Sequence, residues 1–459
     1  MKKKGLTRRE FLCRASAGTV AAVASGAFPT LANIQKEAST LALLGGKPVV
    51  TKQFPWPDTN ESIEKSLVAT FRSGKWYRYE SGARMVSTFE NRLAQATGTK
   101  KCVATGSGTQ ALHCAMYAVG VDAGDEVILP PYTFISSLNV ILLMNALPIF
   151  VDIDPNTFQI DPAKIEEKIN GNTKVIEPVH IAGLSADMDR INAIAKKYNL
   201  KVVEDACQSL FTEYKGKKCG SMGDVGCFSF QVSKIIGCGE GGAAIGNDNE
   251  TMNRVNSFHN LGVGTETGSP EGRRWVIPAT KYRMNEFEAS ILLPQLDLIQ
   301  ERVARRTENA QYLASKLKDI PGIIPQKHCE GQGNSTYYTY DFRYLKEHFN
   351  NTPIEVFNRA LNAEGVPTFR QVIYELNKEP VIENALNSRA FQKIFSKERL
   401  KRYREENECP NNAKRCKETD GVWHWALSGT KSDTDNIYNA FLKIYENRDK
   451  LPKELKRAR

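Results

Sequence analysis

The sequence has little of what a metal site needs. It contains ten cysteines and six histidines in 459 residues, but no CxxC motif and no paired cysteine and histidine spacing. Structural zinc sites gather four such ligands at short spacings, so the sequence predicts no metal centre. Cys102, Cys114 and Cys227 lie in apolar runs and are predicted to be small buried hydrophobic residues. Cys409 and Cys416 are the nearest pair outside the predicted core. The sequence leaves open whether a disulfide joins them.

Long apolar runs are also missing. A helix that crosses a lipid bilayer needs about 20 consecutive apolar residues. The mild stretch from Ala15 to Phe28 is interrupted by Ser16, Gly18, Ser25 and Gly26, and no other segment approaches the required length. We therefore predict no stable membrane span beyond this N-terminal segment.

The positive charge of the chain is concentrated at its ends. The formal net charge is +10, and residues 1–14 alone hold six basic side chains against one acidic side chain, a net +5. The end from Lys443 to Arg459 is also basic. A nucleic-acid-binding surface needs a basic stripe, often interleaved with aromatic residues, and the body of the chain has none. Nucleic acid is therefore not a predicted partner.

Residues 1–33 have the basic, apolar and small-residue regions of an export signal. Lys2, Lys3 and Lys4 precede the paired Arg8 and Arg9, which Phe11 and Leu12 follow at once. Paired arginines in this setting predict the twin-arginine type, which carries folded proteins and lets a cofactor be loaded before export. The alternative is a basic, solvated start of a helix. The prediction places the protein outside the cytoplasm, or in the cytoplasm if the signal is not used.

From about residue 60 to residue 245, apolar strand patterns alternate with helical patterns. The predicted strands are Lys101–Ala104, Glu126–Pro130, Pro148–Asp152, Val175–Val179 and Val202–Glu204. Strands that alternate with helices at this spacing imply a largely parallel sheet with helices on both faces.

A long helical pattern from Glu286 to about Leu317 leads into the C-terminal part of the chain. Predicted there are strands at Thr336–Phe342 and Pro367–Phe369, helices around Pro353–Ala363 and Thr434–Glu446, and a solvated, charge-rich helical excursion over residues 380–420. We divide the chain into a signal at 1–33, an N-terminal arm at 34–60, a large domain at 61–310 and a small domain at 311–459.

Lys234 stands in the most informative neighbourhood of the sequence. The apolar strand that ends at Asp205 precedes it, the segment from Gly226 to Ser233 leads into it, and Gly239–Gly242 follows. A strand-end acid, a hydroxyl suited to phosphate at Ser229, a lysine and a glycine turn in this order predict a pyridoxal phosphate pocket. The lysine would hold the aldehyde as a Schiff base, and Asp205 would pair with the pyridine nitrogen. The alternative for Asp205 is an ordinary cap of the following helix.

A second candidate lies between a strand and a helix, at Gly106-Ser107-Gly108. Small side chains there let backbone N–H groups approach an anion, and the helix N-terminus adds a favourable dipole. The stretch lacks the full GxGxxG pattern of a dinucleotide site, and any strand-to-helix turn can contain glycines.

From about Leu41 to Tyr445 the chain resembles the DegT/DnrJ/StrS aminotransferases, the sugar-aminotransferase branch of the aspartate-aminotransferase fold. The motifs that carry the resemblance are Gly108-Thr-Gln-Ala-Leu112, Gly124-Asp-Glu-Val-Ile128, Pro131-Tyr-Thr-Phe134, Phe150-Val-Asp-Ile-Asp154, Pro178-Val-His180, Ala186-Asp-Met-Asp189, Glu204-Asp-Ala206, Phe228-Ser-Phe230, Lys234 and Gly239-Glu-Gly-Gly242. The resemblance implies an α/β fold with a mostly parallel, seven-stranded-type large domain and a smaller α+β C-terminal domain.

The resemblance also implies a role for each site residue. Lys234 would be the Schiff-base lysine and proton shuttle, Asp205 would bind the pyridine nitrogen, and Gln208 would sit by the 3-hydroxyl of the cofactor. Phe134 would stack on the cofactor ring. The phosphate would be bound by Ser107 or Gly108, Thr109 and Ser229.

Four positions depart from the family pattern. Lys281 stands where the family usually has an asparagine that reaches the phosphate of the neighbouring subunit, and it would replace that contact with a charge. Gln231 replaces a frequent histidine and Ile235 a frequent asparagine. His424 is similar in place to a family histidine, but it lies between Trp423 and Trp425.

The resemblance implies a pyridoxal phosphate-dependent aminotransferase, working as a homodimer on small molecules. The amino donor would be glutamate or glutamine, and the acceptor a keto-sugar or related cyclic ketone. One alternative is a sugar dehydratase of the same fold, whose members usually carry histidine in place of Lys234. Another is an exported binding or regulatory protein without catalysis. If export holds, nucleotide-linked sugars made in the cytoplasm would not reach the site.

Overall fold

The computed structural model describes residues 40–264 and 274–454. The predicted export signal lies outside the described residues, as does the first part of the predicted arm. The export prediction therefore stays a prediction.

A seven-stranded sheet forms the centre of the larger part of the structure, with strand order β1-β9-β8-β5-β4-β2-β3. The strands, together with a short separate hairpin of β6 and β7, are β1 Lys101–Thr105, β2 Glu126–Leu129, β3 Leu147–Phe150, β4 Thr173–Ile176, β5 Lys201–Asp205, β6 Glu213–Tyr214, β7 Lys217–Lys218, β8 Val225–Ser229 and β9 Gly242–Gly246. Strand β9 runs antiparallel to both of its neighbours, whereas the pairs from β8 to β3 are parallel. The prediction of a mostly parallel sheet is confirmed.

Helices pack around this sheet and continue from it. Their bounds are α1 Glu61–Ser73, α2 Met85–Thr97, α3 Gly108–Ala118, α4 Ile135–Leu143, α5 Met188–Tyr198, α6 Asn249–His259, α7 Glu286–Leu296 and α8 Ile299–Leu317. The single helical pattern predicted from residue 286 to 317 is therefore two helices. Pro294 lies within one turn of the break and cannot donate a backbone hydrogen bond, which weakens α7 near its end.

The last part of the chain builds a small antiparallel sheet of β10 Ile323–Pro325, β11 Thr339–Tyr344 and β12 Thr419–Trp423, in that order. Helices α9 Ile354–Ala363 and α14 Lys431–Glu446 share its apolar core, which includes Phe342, Phe357 and Phe441. The strand predicted at Pro367–Phe369 is wrong, since Thr368 makes only an isolated bridge to Val422. Strand β12 was not predicted, because Thr419, Asp420 and Gly421 are polar or small.

Residues 380–420 hold four helices, α10 Pro380–Leu386, α11 Arg389–Ile394, α12 Lys397–Glu405 and α13 Pro410–Glu418. The helical part of the prediction is confirmed, but the solvated part is wrong. Leu386, Phe391, Leu400 and Tyr403 are buried in the same apolar cluster as the central sheet. These apolar residues are sparse within a highly charged stretch, so the buried side of each helix is narrow.

Helix α8 connects the two apolar cores. Ile299 and Val303 belong to the cluster that covers one side of the central sheet, whereas Leu313 and Leu317 belong to the core of the small sheet. The predicted boundary between residues 310 and 311 falls inside this helix and stays a prediction. Among the helices described, none has the length and apolarity needed to cross a bilayer.

Candidate active site

A cavity of about 480 Å³ opens where the parallel strands of the central sheet end. In open α/β sheets this edge is where ligands bind, because the loops after neighbouring strands meet there. All the predicted cofactor residues except Lys281 line this one cavity: Ser107, Gly108, Thr109, Phe134, Asp205, Gln208, Ser229 and Lys234. Their segments lie far apart in sequence, so the fold brings them together.

The start of α3 forms a cradle for an anion. Ser107 caps the helix, and its side chain accepts a hydrogen bond from the N–H of Gln110 at 3.2 Å. A Cβ atom on Gly108 would lie 2.8 Å from both the Sγ of Cys207 and the Cβ of Ser229. Only glycine therefore lets the helix N-terminus lie this close to the end of β8. Free backbone N–H groups and the helix dipole favour a phosphate at such a place.

Thr109 adds a hydroxyl to this cradle. Its Oγ1 lies 2.8 Å from the Oγ of Ser136, in hydrogen-bond contact. Ser136 belongs to α4 and also lines the cavity. The N-terminal turns of two helices thus present hydroxyl groups to the same space.

Asp205 is the last residue of β5 and is held from both sides. Only 6% of its surface is exposed. Ser137 donates its hydroxyl to Oδ2 at 2.8 Å, and the N–H of Cys207 donates to Oδ1 at 3.1 Å. These two donors fix the orientation of a carboxylate that faces the cavity, as a partner for a protonated ring nitrogen must be fixed. Ser137 is a supporting residue that the sequence reasoning missed.

Glu204 precedes Asp205 and has a different role. It is fully buried and accepts hydrogen bonds from the N–H groups of Gly220, Met222 and Gly223 at 2.7, 2.6 and 2.5 Å. His180, also fully buried, lies 2.8 Å from its Oε2. Because side chains alternate along a strand, the Glu-Asp pair sends one carboxylate into the structural frame and the other into the cavity.

Lys234 lies in the loop between β8 and β9 and is half-buried. Its Nζ lies 4.1 Å from the centroid of the Tyr338 ring. The hydroxyl of Tyr338 lies 2.9 Å from the Oγ of Ser233, which donates to the Oε1 of Gln231 at 2.6 Å. The C-terminal part of the chain therefore supplies a ring against which the lysine rests, together with a hydrogen bond that holds the lysine loop.

Gln208 and Phe134 complete the predicted set within the cavity. The Oε1 of Gln208 accepts from the N–H of Ala182 at 2.8 Å, which orients its amide. Phe134 is 64% exposed and lines the cavity, so its face is accessible to a ring bound there.

Lys281 is the one predicted residue that the structure does not bring to the cavity of its own chain. It is exposed, and its backbone pairs with Asn260 in an isolated bridge. Its predicted contact with a neighbouring subunit stays a prediction.

His424 does not line the cavity. It contacts the backbone of the lysine loop instead. It is fully buried, and its Nε2 lies 3.0 Å from the carbonyl oxygen of Ser233. Burial, aided by the charge of Arg306, lowers the pKa of His424 well below its usual value. The ring is therefore neutral at physiological pH, and Nε2 donates to the carbonyl.

The described residues contain neither a disulfide nor a metal site. The nine described cysteines are free thiols, including the buried Cys409 and Cys416. Burial raises the pKa of the Cys207 thiol in the cavity well above its usual value, so it stays protonated. No group of three or more histidine, cysteine or acidic residues in the described ranges could hold a metal ion.

Several cavity residues were not predicted because they come from the C-terminal part of the chain, around the small sheet. They are Tyr338, Phe369, Gln371, Val372 and Trp423. The sequence carried one signal for them, the unusual tryptophans on either side of His424. Which of these side chains reaches the cavity depends on how the small sheet packs against the large one.

The residues present fit pyridoxal phosphate. The Gly108 cradle suits its phosphate, the oriented carboxylate of Asp205 suits its ring nitrogen, and Lys234 suits its aldehyde. Together with the mostly parallel sheet, these features define a pyridoxal phosphate-dependent transferase.

Comparison with known proteins gives the family within this class. Residues 57–397 match the model of the DegT/DnrJ/EryC1/StrS aminotransferase family. The chain belongs to this family and is a pyridoxal phosphate-dependent aminotransferase.

Named relatives and a solved structure support the same assignment. The chain is 33% identical to L-glutamine:2-deoxy-scyllo-inosose aminotransferase of Streptomyces paromomycinus, over 88% of this chain and 97% of the relative. It is 37% identical to GDP-perosamine synthase of Caulobacter vibrioides, over 63% of this chain and 77% of the relative. A Streptococcus pneumoniae protein solved in its PMP form superposes with a TM-score of 0.72 at 26% identity, covering 88% of this chain and 100% of that one.

Proposed function

We propose that this aminotransferase moves an amino group from glutamine or glutamate to a keto-sugar or related cyclic ketone. The donor CH–NH₂ becomes C=O, and the acceptor C=O becomes CH–NH₂, in two successive half-reactions on one site. The observation that carries the proposal is that Lys234, Asp205 and the Gly108 cradle line one cavity. The names of the Streptomyces paromomycinus and Caulobacter vibrioides relatives support the choice of donor and acceptor class.

When bound, pyridoxal phosphate supplies an electron sink next to the donor carbon. Lys234 would hold the aldehyde of the cofactor through Nζ, and as a free amine it would carry the proton from the donor carbon. Asp205, held by Ser137, would keep the ring nitrogen protonated. Ser107, Gly108, Thr109 and Ser229 would hold the phosphate, Phe134 would lie against the ring, and Gln208 would bind the 3-hydroxyl.

We further propose that the chain works as a homodimer in which Lys281 reaches the phosphate of the neighbouring site. Lys281 is exposed and does not line its own cavity. Exposed aromatic side chains support a second copy as the partner: Phe71 stacks on Trp76, Tyr77 lies against Tyr79, and Trp275 is exposed in a separate segment. Trp275 is 73% exposed, which is unusual for a large apolar side chain.

The dehydratase alternative is disfavoured by Lys234, because relatives of that kind usually carry histidine at this position. The alternative of an exported binding protein makes a different prediction from the aminotransferase. A binder leaves its cofactor unchanged when an amino donor is added, whereas an aminotransferase converts it to the pyridoxamine form.

The test is a single-turnover experiment on the cofactor-loaded protein. Glutamine, glutamate and an unrelated amino acid are added separately, and the visible absorbance of the lysine-bound cofactor is followed. We expect glutamine or glutamate to abolish that absorbance with release of the matching 2-oxo acid. An absorbance that persists with every donor would contradict the proposed function.

Export is a separate proposal, supported only by the sequence of residues 1–33. Cell fractionation of the unaltered protein and of a variant with Arg8→Lys and Arg9→Lys tests it directly. We expect the unaltered protein outside the cytoplasm and the variant inside. An unaltered protein that stays in the cytoplasm would restore nucleotide-linked sugars as available acceptors.

A further inference from the structure

The segment that differs most from the family pattern, Trp423-His424-Trp425, places its two indole rings on one side. Their ring centroids are 4.6 Å apart and their planes are inclined by 14°, a stacked arrangement. His424 lies between them in sequence, and its Nε2 donates to the carbonyl oxygen of Ser233 in the lysine loop.

The stacking continues at both ends. Phe369 stacks on Trp423 at 4.7 Å and 15°, and Trp56 lies parallel to Trp425 at 6.4 Å and 6°. These four nearly parallel rings form what we call the aromatic run. Its Phe369 end is 42% exposed, and both Phe369 and Trp423 line the cavity that contains Lys234. The run therefore ends as an open aromatic face inside the active site.

Backbone hydrogen bonds hold this face in place. The N–H of Phe369 donates to the carbonyl of Gly421 at 2.8 Å, and the N–H of Trp423 donates to the carbonyl of Pro367 at 3.0 Å. A Cβ on Gly421 would lie 2.5 Å from the Oδ1 of Asp341, so glycine is needed where these segments meet. The face is built before any ligand arrives.

Tyr338 connects this face to the reacting lysine. The Nζ of Lys234 lies 4.1 Å from the centroid of the Tyr338 ring, and that ring lies perpendicular to Trp423, with centroids 5.5 Å apart and an interplanar angle of 88°. Tyr338 therefore contacts both the lysine and the aromatic face of the same cavity.

Few charged side chains line the cavity. Among the described residues that line the cavity, the charged side chains are Asp205, Lys234 and Glu240. Lys234 is the single cation of this set, whereas a diphosphate group is normally held by arginines or several lysines. Around the aromatic face lie Tyr338, Gln371 and Val372, which are uncharged.

We propose that Phe369 and Trp423 form the platform on which the acceptor ring lies, and that this acceptor is an uncharged, polyhydroxylated six-membered ring ketone. The inference rests on the proposed function. Such a ring has an apolar C–H face, which the negative face of an aromatic ring attracts, and its hydroxyl groups project from the edge. The platform acts only in the half-reaction that uses the ketone. The half-reaction of the donor amino acid does not depend on it.

The experiment uses the variant Phe369→Ala, with Tyr374→Ala as its matched control. Tyr374 is 67% exposed in the same segment and does not line the cavity. Binding of myo-inositol, a neutral ring that cannot react, is measured on the cofactor-loaded protein by tryptophan fluorescence, with UDP-glucose as the charged probe. The two half-reactions are then followed separately by absorbance, using scyllo-inosose as the ketone.

We expect Phe369→Ala to weaken myo-inositol binding by about 10- to 100-fold and to lower kcat/KM for the ketone by a similar factor. The donor half-reaction of Phe369→Ala should keep the rate of the unaltered protein. The Tyr374→Ala and Phe369→Tyr variants should bind myo-inositol and use the ketone about as well as the unaltered protein. Unchanged ring binding in Phe369→Ala, or binding of UDP-glucose in preference to myo-inositol, would overturn the platform. A protein that binds the ring through Phe369 but accepts no amino group from any donor would instead overturn the proposed function.

Discussion

At the scale of single residues, Glu177 stands out as an acid with no partner. It follows β4, is fully buried, and neither of its carboxylate oxygens has a hydrogen-bond partner among the described residues. Burial, and then the nearby charge of Asp205, raises the pKa of Glu177 well above its ordinary value of 4.5. The folded protein therefore keeps this proton to a higher pH than the unfolded chain does.

This raised pKa makes stability depend on pH. Above pH 4.5 the unfolded chain releases the proton while the folded chain retains it, so Glu177 lowers the free energy of unfolding as the pH rises. We predict that Glu177→Leu, which is similar in volume, raises that free energy by about 1–3 kcal/mol at pH 8 and by less at pH 5. Urea unfolding at both pH values measures this.

The control is Glu330→Leu at an exposed position, which should show no such dependence. A Glu177→Leu variant whose advantage is the same at pH 5 and pH 8 would mean that Glu177 is ionised in the folded state.

The cavity residues predicted from the sequence lie in short segments next to strand ends. Asp205, Ser229 and Gly108 could be found because their chemistry is visible in local sequence. Tyr338, Phe369 and Trp423 come from segments more distant along the chain, and their place in the cavity depends on packing between the two sheets. Sequence alone does not determine that packing.

At the scale of elements, the strands that were predicted are those with apolar β-branched runs. Strands β8 and β9 were not predicted, because Gly226, Gly242 and Gly246 give them low strand propensity. Their glycines are required by close contacts. A Cβ on Gly242 would lie 2.3 Å from the backbone of Ser107, and one on Gly226 would lie 2.0 Å from that of Gly220. Tertiary packing therefore overrides local propensity next to the site.

Gly108, the first residue of α3, is another position where close contacts require glycine. Gly108→Ala forces the helix start away from Cys207 and Ser229, since its Cβ would meet both at 2.8 Å. We expect cofactor affinity to fall by about tenfold or more and the free energy of unfolding to fall by about 1–3 kcal/mol. A cofactor titration and urea unfolding measure the two effects.

Gly171→Ala is the matched control, because a Cβ at this exposed glycine meets nothing within 4 Å. If Gly108→Ala binds the cofactor as tightly as Gly171→Ala, the phosphate does not lie at the start of α3.

At the scale of the whole molecule, we predict that two copies share their active sites. If Lys281 serves the neighbouring site, a mixture of Lys234→Ala and Lys281→Ala chains contains dimers with one intact site. Random pairing of the two chains should then restore about a quarter of the wild-type activity, although each variant alone is impaired. Activity is measured after the chains have been unfolded and refolded together, with each variant refolded alone as the control.

If Lys281 serves its own site, no mixed dimer has a complete set and the mixture stays inactive. Sedimentation of the unaltered protein gives the oligomeric state independently. A monomer would contradict both the dimer and the role of Lys281.

The central claim is that Lys234 holds the cofactor, and borohydride reduction of the loaded protein followed by peptide mass spectrometry tests it most directly. Reduction fixes the cofactor to whichever lysine it is bonded to. We expect a pyridoxyl group on Lys234 in the unaltered protein and no labelled lysine in Lys234→Ala, which should also lack the visible absorbance. A label on another lysine, or a Lys234→Ala variant that is labelled and coloured like the unaltered protein, would contradict it.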